Sequence, residues 1–349
     1  MARGQTILIS AKLAAHQLER HLEPLARSEN VERILVVRHE PVSERLSKVE
    51  NVTFSDSGTA RNLGRMHRTI QQTMRAERVD WVIGFNPVPW GSIGAVAAMR
   101  RGVPTVLSLI GSDFRQLNRP AARPLWLVLK RADHITVTGA RMRDGLLAEG
   151  VPESRVHVLP HVVDTERFAP GADPPTFDIV SVGQLIHRKR MDLLIEAVRI
   201  LRVRGLRATL GILGQGPLEG ELRTLIQRSG LTDQVTLLGY REDVESVLQQ
   251  GRIYALASEW EGVPFALIEA MSAGLVPVVT DVGTIDDWVT NGENGRLVPP
   301  GDPTALANAL EHLLRNEDSY RRQRTRALEI RQQLSLDVGI AFWDRLLAD

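Results

Sequence analysis

The chain of 349 residues has no cysteine, which excludes disulfides, thiolate metal sites and a cysteine nucleophile. It has no apolar run near the ~20 residues that a membrane-spanning helix needs. Its start offers only Thr6–Ser10 before Lys12 interrupts, too short for the apolar stretch of a signal peptide, so a cytoplasmic location is expected. No Asp-x-Asp pair stands in a loop where it would chelate a divalent ion, and the adjacent Asp286 and Asp287 read as helix-start residues. Repeats of solenoid period and low-complexity tracts are absent as well. Net charge is almost nil, with 43 basic against 42 acidic residues, and no nucleic-acid partner is expected.

What is present is a globular composition, 43% hydrophobic and 24% charged, in a chain long enough for two ordinary domains with full cores. Charge divides unevenly: residues 1–170 hold 24 basic and 17 acidic side chains, the remainder 19 and 25. One half should therefore prefer an anionic partner, although drift in solvated surfaces gives the same count. Apolar runs alternate with helix-period segments almost throughout. The runs are Thr6–Ser10, Val31–Val37, Trp81–Phe85, Thr105–Leu109, His134–Val137, Ile179–Val182, Thr209–Leu213, Val235–Leu238, Ile253–Ala257 and Val276–Thr280. Such alternation implies parallel sheets wrapped by helices. The proline-rich, aperiodic segment Pro160–Pro175 reads as the linker between two domains. The last stretch, Ser335–Leu347, is amphipathic, with Phe342 and Trp343 on its apolar side, and must dock somewhere.

Ser258–Gly274 is the most informative stretch. The run Ile253–Ala257 before it reads as a buried strand, and a Gly/Pro turn then opens into a helix. Glu261 lies in the loop, and Glu269 lies one or two turns into the helix. Free N–H groups at a helix start carry the positive end of the dipole and face whatever binds at the strand's carboxyl end. An anionic ligand with hydroxyls suits that place, amides taking phosphate oxygens and carboxylates taking sugar or ribose hydroxyls. A solvated helix start with well-placed acids fits the same residues.

Lys189 opens a helix whose apolar positions Leu193, Leu194, Ala197 and Leu201 follow at helical spacing. Positive charge at a helix start opposes the dipole. The run Arg188, Lys189, Arg190 is better explained by a bound anion such as a diphosphate, with a solvated basic turn as the plainer alternative. Gly214, Gln215 and Gly216 follow the run Thr209–Leu213 and read as a tight strand-to-helix turn that lets a nucleotide's phosphate or ribose approach closely. The third glycine, Gly220, falls one position late for a dinucleotide fingerprint.

In this order and spacing, Val182–Glu196, Leu213–Pro217, Leu238–Arg241, Ser258–Gly274 and Asn291–Asp302 resemble the C-terminal half of the glycosyltransferase family 4 enzymes, also called group 1 glycosyltransferases. The resemblance is dense from about Val156 to Asp302 and weaker but continuous before it. It implies the GT-B arrangement of two Rossmann-like, doubly wound α/β domains facing a cleft. On that basis residues 1–165 form an acceptor-binding domain, 166–330 a nucleotide-sugar-binding domain, and 331–349 a helix that crosses back to the N-terminal domain. The implied activity is transfer of a sugar from a nucleotide-sugar donor to a hydroxyl of a glycan, lipid-linked or small-molecule acceptor. It would proceed with retention at the anomeric carbon, without a metal or other cofactor.

By resemblance, Lys189 neutralises the leaving nucleoside diphosphate, Glu261 contacts hydroxyls of the transferred sugar, and Glu269 hydrogen-bonds the ribose. Amides of Gly262, Phe265, Ala266 and Leu267 hold donor sugar and phosphate. Gly183, Gln184, Arg188, Gly214 and Gly216 complete the donor site, with Tyr240 and Arg241 where the family reads the base. Tyr240 equally fits a packed aromatic. Lys189, Glu261 and Asp113 are the candidate catalytic residues, with Gly111 and Ser112 as candidate acceptor contacts. Asp113 would position a hydroxyl, or serve as an ordinary turn cap.

Four positions depart from the family pattern. Gln184 replaces an arginine, Ile110 a histidine, Ser10–Lys12 a Gly-Gly loop, and His161 a linker asparagine. An amide bonds phosphate but carries no charge, so Arg188 or Arg190 would have to substitute. A nucleotide-sugar epimerase of the same fold, or a non-catalytic donor-binding partner subunit, are the alternatives. Finally, helical spacing over Thr59–Ala76 puts Leu63, Met66, Ile70 and Met74 on one face and leaves Arg61, Arg65, Arg68 and Arg75 largely off it. A core-facing helix with a solvated basic side explains this. The sharper expectation is contact with an anionic acceptor or with the anionic inner face of a membrane.

Overall fold

A computed structural model describes residues 4–42, 45–56, 58–110, 113, 117, 122–171, 175–262 and 265–348, the side chains at 16, 59, 60, 87 and 88 excepted. The chain divides into two compact units, Met1–Val162 with Leu336–Asp349, and Val163–Ser335. The first division falls inside the proline-rich segment. Val163 already belongs to the second unit, its N–H donating to the Leu334 carbonyl at 3.0 Å and tying that unit's entry to its exit.

In the first unit, β1 (Gln5–Ser10), β2 (Val31–Arg38), β3 (Val49–Thr53), β4 (Trp81–Phe85), β5 (Thr105–Leu109), β6 (His134–Val137) and β7 (Val156–Val158) pair in the order β3-β2-β1-β4-β5-β6-β7. Every pairing is parallel. The helices are α1 (Ala15–Arg27), α2 (Thr59–Ala76), α3 (Ser92–Met99), α4 (Arg123–Leu129) and α5 (Ala140–Ala148). Parallel strands are covered on both faces, so they read as continuous apolar runs. Ile7 and Ile9 pack with Leu18, Leu22 and Leu25 of α1, while Leu8 between them packs with Met66 and Ile70 of α2.

The second unit repeats the plan with β8 (Phe177–Val182), β9 (Leu210–Leu213), β10 (Val235–Gly239), β11 (Gly251–Leu256), β12 (Val276–Thr280) and β13 (Arg296–Val298), in the order β10-β9-β8-β11-β12-β13, again all parallel. Its helices are α6 (Met191–Val203), α7 (Glu219–Arg228), α8 (Val244–Leu248), α9 (Phe265–Ser272), α10 (Pro303–Arg315), α11 (Glu317–Leu328) and α12 (Arg331–Leu334). The last helix, α13 (Leu336–Leu346), belongs to the first unit and lies on α1. Trp343 is buried there, Ser28 Oγ donates to Asp344 at 2.5 Å, and Gln5 Nε2 donates to the Leu347 carbonyl at 2.9 Å. Gly339 touches Pro24 and Val162, where a Cβ would collide.

All ten apolar runs form strands. The three strands without an apolar signature, β3, β7 and β13, are sheet edges, whose exposed side needs no such run. Two helix starts differ from expectation. The helix expected to open at Lys189 begins at Met191, after a 3-10 turn His187–Lys189 and Arg190 in the left-handed region at φ 48°. Asp286 and Asp287 lie within a 3-10 turn, Ile285–Asp287, and open no α-helix. Among the described residues no helix is long and apolar enough to cross a membrane.

Candidate functional site

In each sheet the strand order reverses once, between β1 and β4 and between β8 and β11. In open α/β sheets, ligands bind outside the carboxyl ends of the strands at that reversal. The residues that leave β8 and β11 are Gly183–Arg190 and Ala257–Gly262, which contain Lys189 and Glu261.

The structure joins these two, 72 residues apart, in an ion pair: Lys189 Nζ donates to Glu261 Oε1 at 2.6 Å, with only 16% and 6% of the side chains exposed. Gly183 supplies the floor beneath the lysine, since a Cβ there would lie 3.6 Å from Lys189 Cδ and Cε. The rest of the basic turn is bound to the same loop. Arg188 accepts from the Glu259 N–H at 2.9 Å, its guanidinium donates to the Trp260 carbonyl at 3.3 Å and stacks 5.5 Å from the Trp260 ring. Arg190 is held by Asp192 and Glu259 at 2.9 and 3.1 Å. Arg188 is therefore the member of the trio with no carboxylate against it among the described residues.

The Ser258–Gly262 loop is clamped from the segment after β12. Thr280 Oγ1 donates to the Ser258 carbonyl at 2.7 Å and Thr284 Oγ1 to the Gly262 carbonyl at 2.6 Å. Gly283, at φ 64°, leaves the space into which the Glu261 carbonyl fits. Beyond the loop, Phe265, Ala266 and Leu267 form the first turn of α9, and Glu269 is buried one turn in. Tyr254 on β11 is buried, and burial together with the charges of Glu261 and Glu269 pushes its phenol well above the usual range. Its hydroxyl thus stands within the field of both carboxylates.

The glycines of the Gly214–Gly216 turn serve the protein's own backbone. Gly214 presses on the Gly183 carbonyl and donates to the Gly239 carbonyl at 2.8 Å, and Gly216 presses on the Leu185 carbonyl. These contacts knit the ends of β8, β9 and β10 into one platform. At its rim Gln184 is exposed, Tyr240 is 65% exposed rather than packed, and Arg241 is paired with Asp243 at 2.5 Å.

In the first unit, Asp113 is fully buried beyond β5. Asn86 Nδ2 donates to its Oδ1 at 2.9 Å and the Ile110 N–H to its Oδ2 at 2.8 Å. Burial pushes the carboxyl up to about 7, against the lowering effect of the Ile110 N–H. Asn86 sits in the left-handed region, φ 56°, at the end of β4 before a π-helical turn, Pro87–Gly91. That turn is possible because Gly84 and Gly91 touch backbone to backbone. The signal for Asn86 in the sequence is the Asn-Pro step leaving a buried strand, which marks a turn and carries no chemistry of its own. Gly111 and Ser112 lie outside the described residues. Ile110 packs against the core where the family has a histidine. His161 is buried, and desolvation lowers its imidazole to about 4.

Two all-parallel sheets flanked by helices, each with one reversal of strand order, define the GT-B class of α/β protein. Models of the families described as Glycosyl transferases group 1 and Glycosyltransferase Family 4 match residues 162–329 and 19–167. The chain belongs to the family 4, group 1 glycosyltransferases. It is 35% identical over 267 residues, 71% of its length, to the putative colanic acid biosynthesis glycosyltransferase WcaL of Salmonella typhimurium, and covers 65% of that protein. It is 26% identical to the Escherichia coli UDP-Gal:alpha-D-GlcNAc-diphosphoundecaprenol alpha-1,3-galactosyltransferase, over 69% of this chain and 68% of that one. The chain thus spans less than two thirds of the WcaL length. Among solved structures, HepE of Anabaena in complex with UDP superposes with a TM-score of 0.79 at 18% identity, covering 99% of this chain and all of that one. The fold is shared at that identity.

Proposed function

We propose that the protein transfers a sugar from a nucleoside diphosphate sugar to an acceptor hydroxyl, with retention at the anomeric carbon and without a metal. The observation that carries this reading is the buried Lys189–Glu261 pair at the reversal of the second sheet. Without ligand the two charges compensate each other. A diphosphate beside Lys189 would draw on the ammonium, and Glu261 would then be an acceptor for sugar hydroxyls. Arg188 supplies the second phosphate cation in place of the family arginine at Gln184. The α9 amides, with Gly262, add fixed dipoles where charge develops on the leaving group. Glu269 takes the ribose, Tyr240 and Arg241 the base, and Asp113 a hydroxyl on the acceptor side. Deprotonation of the acceptor is assigned to the leaving phosphate on the same face.

The acceptor is a glycan or a lipid-linked saccharide, in keeping with the names of the relatives, one in colanic acid biosynthesis and one acting on a diphosphoundecaprenol-linked sugar. UDP-sugars are the first donors to test, since HepE binds UDP. The protein acts in the cytoplasm. Arg61, Arg68 and Arg75 are exposed along α2 and give it a basic face toward an anionic membrane, each worth up to about 1 kcal/mol there. Thermal melting with nucleoside diphosphates, followed by donor turnover with and without EDTA, tests the reading. A ligand that binds only the folded state raises the melting temperature. No shift with any nucleoside diphosphate, or turnover that stops in EDTA, would count against it.

A further inference from the structure

The carboxyl edge of the first sheet holds a charge that the donor site does not use. Arg38 closes β2 on the face where Ile34 and Val36 pack under α1. It is only 2% exposed. Among the described residues its Nε and Nη1 have no hydrogen-bond partner. Nη2 makes an ion pair with Glu40 Oε2 at 3.5 Å, on a side chain that is itself 67% exposed. Glu19, in the second turn of α1, acts on it only through longer-range attraction.

A guanidinium cannot escape burial by giving up its proton at ordinary pH. A buried charge is normally both paired and hydrogen-bonded, and leaving its donors unmet carries a desolvation cost that one exposed carboxylate at 3.5 Å does little to offset. Among the described residues, nothing in the packing of the first unit explains such a cost. Replacing Arg38 with an apolar side chain of similar length would relieve it.

Two further features mark the same edge. The 13-residue helix α1 begins there with Ala14 at its N-cap, no side-chain cap and no acid in its first turn, so its amino end keeps free N–H groups and its positive dipole. Ser10 pairs with Val37, which brings Ala11 level with Arg38 and Lys12 one residue beyond. Lys12 is exposed, with its ammonium 4.7 Å from the Trp90 ring centre. A buried, unsatisfied guanidinium, an uncapped helix start and an exposed ammonium form the donor set of a phosphate site.

We propose that Arg38, with the amino end of α1, binds a phosphate group carried by the acceptor and so selects phosphate-bearing acceptors. This rests on the reading that the first unit takes the acceptor. Arg38 ends β2 and Asp113 follows β5, three inter-strand steps apart in the sheet order. At ~4.8 Å per step the two are about 14 Å apart along the edge, room for a sugar between a phosphate at one end and a reacting hydroxyl at the other. The phosphate is that of a lipid headgroup or of a soluble sugar phosphate.

The test compares the full-length wild type with Arg38→Met and Arg38→Lys, in saturating UDP so that the donor site is filled. Thermal melting is followed against inorganic phosphate, with chloride matched for ionic strength. Wild type should melt higher as phosphate rises. Arg38→Met should melt at or above wild type without phosphate and show no rise. Arg38→Lys should need at least tenfold more phosphate. The proposal is overturned if wild type shows no rise beyond chloride, if Arg38→Met responds as wild type does, or if it folds but melts well below wild type. Should Arg38→Met fail to fold, Arg38→Lys decides, and an unchanged phosphate response overturns the assignment.

A second arm sediments each protein with phosphatidylcholine vesicles, with or without phosphatidic acid. Binding that depends on both phosphatidic acid and Arg38 assigns the phosphate to a lipid. A phosphate response without it assigns the phosphate to a soluble acceptor. The UDP shift itself should be the same in Arg38→Met as in wild type. Its absence from wild type would sink the transferase reading while the phosphate result still stands.

Discussion

Replacing Lys189 with methionine removes one charge of a buried pair and keeps most of the apolar stem over Gly183. Glu261, 6% exposed, is then left without its 2.6 Å partner. Breaking such a pair from one side costs roughly 3–5 kcal/mol, and the 16% exposure of the lysine, which lets water reach the carboxylate, puts the expected loss near the lower bound. For a unit of this size that is a fall in melting temperature of about 6–12 °C. Lys189→Met with Glu261→Gln removes both charges and should recover most of that loss. Activity should behave differently. If the ammonium meets charge on the leaving diphosphate, its removal costs about 2–4 kcal/mol of transition-state stabilisation, a rate loss of about 30- to 900-fold, and the double variant recovers none of it. The assay is a double-mutant cycle read by melting and by donor turnover. Strictly additive melting shifts would refute the pairing. A Lys189→Met enzyme with near wild-type turnover would move the phosphate role to Arg188.

Three further outcomes are expected. Asp113 titrates at about 7, above its unfolded value, so its stabilising effect is complete below the ordinary carboxylate range and is lost as pH rises through 7. First-unit stability should fall by up to about 4 kcal/mol across that window, and Asp113→Asn should flatten the slope in urea melts at pH 4 to 8; an unchanged slope would show that the carboxyl ionises freely. Gly214→Ala must set a Cβ against the Gly183 carbonyl at φ 148° and should cost at least ~1–3 kcal/mol with weaker diphosphate binding. Gly220→Ala, in α7 with open space around it, should be neutral or stabilising by up to about 1 kcal/mol, and equal effects would contradict the platform. Glu269→Ala should weaken nucleoside diphosphate affinity in calorimetry and lower kcat/KM in step with it while kcat holds, because a ribose contact is made in ground and transition states alike; unchanged affinity would remove Glu269 from the donor site.

The parallel strands were legible because burial on both faces writes them as unbroken apolar runs. β3 was not, since Glu50 and Asn51 sit in a strand that is nowhere fully buried. β7 and β13, three residues each, are too short to show a period. Lys189 and Glu261 were each marked, yet a sequence cannot say that side chains 72 residues apart will meet. Gly214 and Gly216 meet a related limit, since their contacts with the Gly183 and Leu185 carbonyls cannot be read from the sequence. A glycine announces close approach, but whether a ligand or a neighbouring carbonyl approaches is a property of the assembled sheet. Asn86 and Arg38 escaped because each is an ordinary polar residue at a strand end, given meaning only by what lies next to it. The clamp of Thr280, Gly283 and Thr284 on the Ser258–Gly262 loop became visible only with the register of β11 on β12.

The central claim is that this chain moves a sugar from a nucleoside diphosphate with retention and without a metal. Anomeric proton NMR of the purified chain with a panel of α-linked nucleoside diphosphate sugars, in EDTA, tests it most directly. The account predicts release of the nucleoside diphosphate from at least one donor, with the freed or transferred sugar appearing first as the α anomer. Intact donors across the panel, a first-formed β anomer, or turnover restored only by a divalent ion would contradict it.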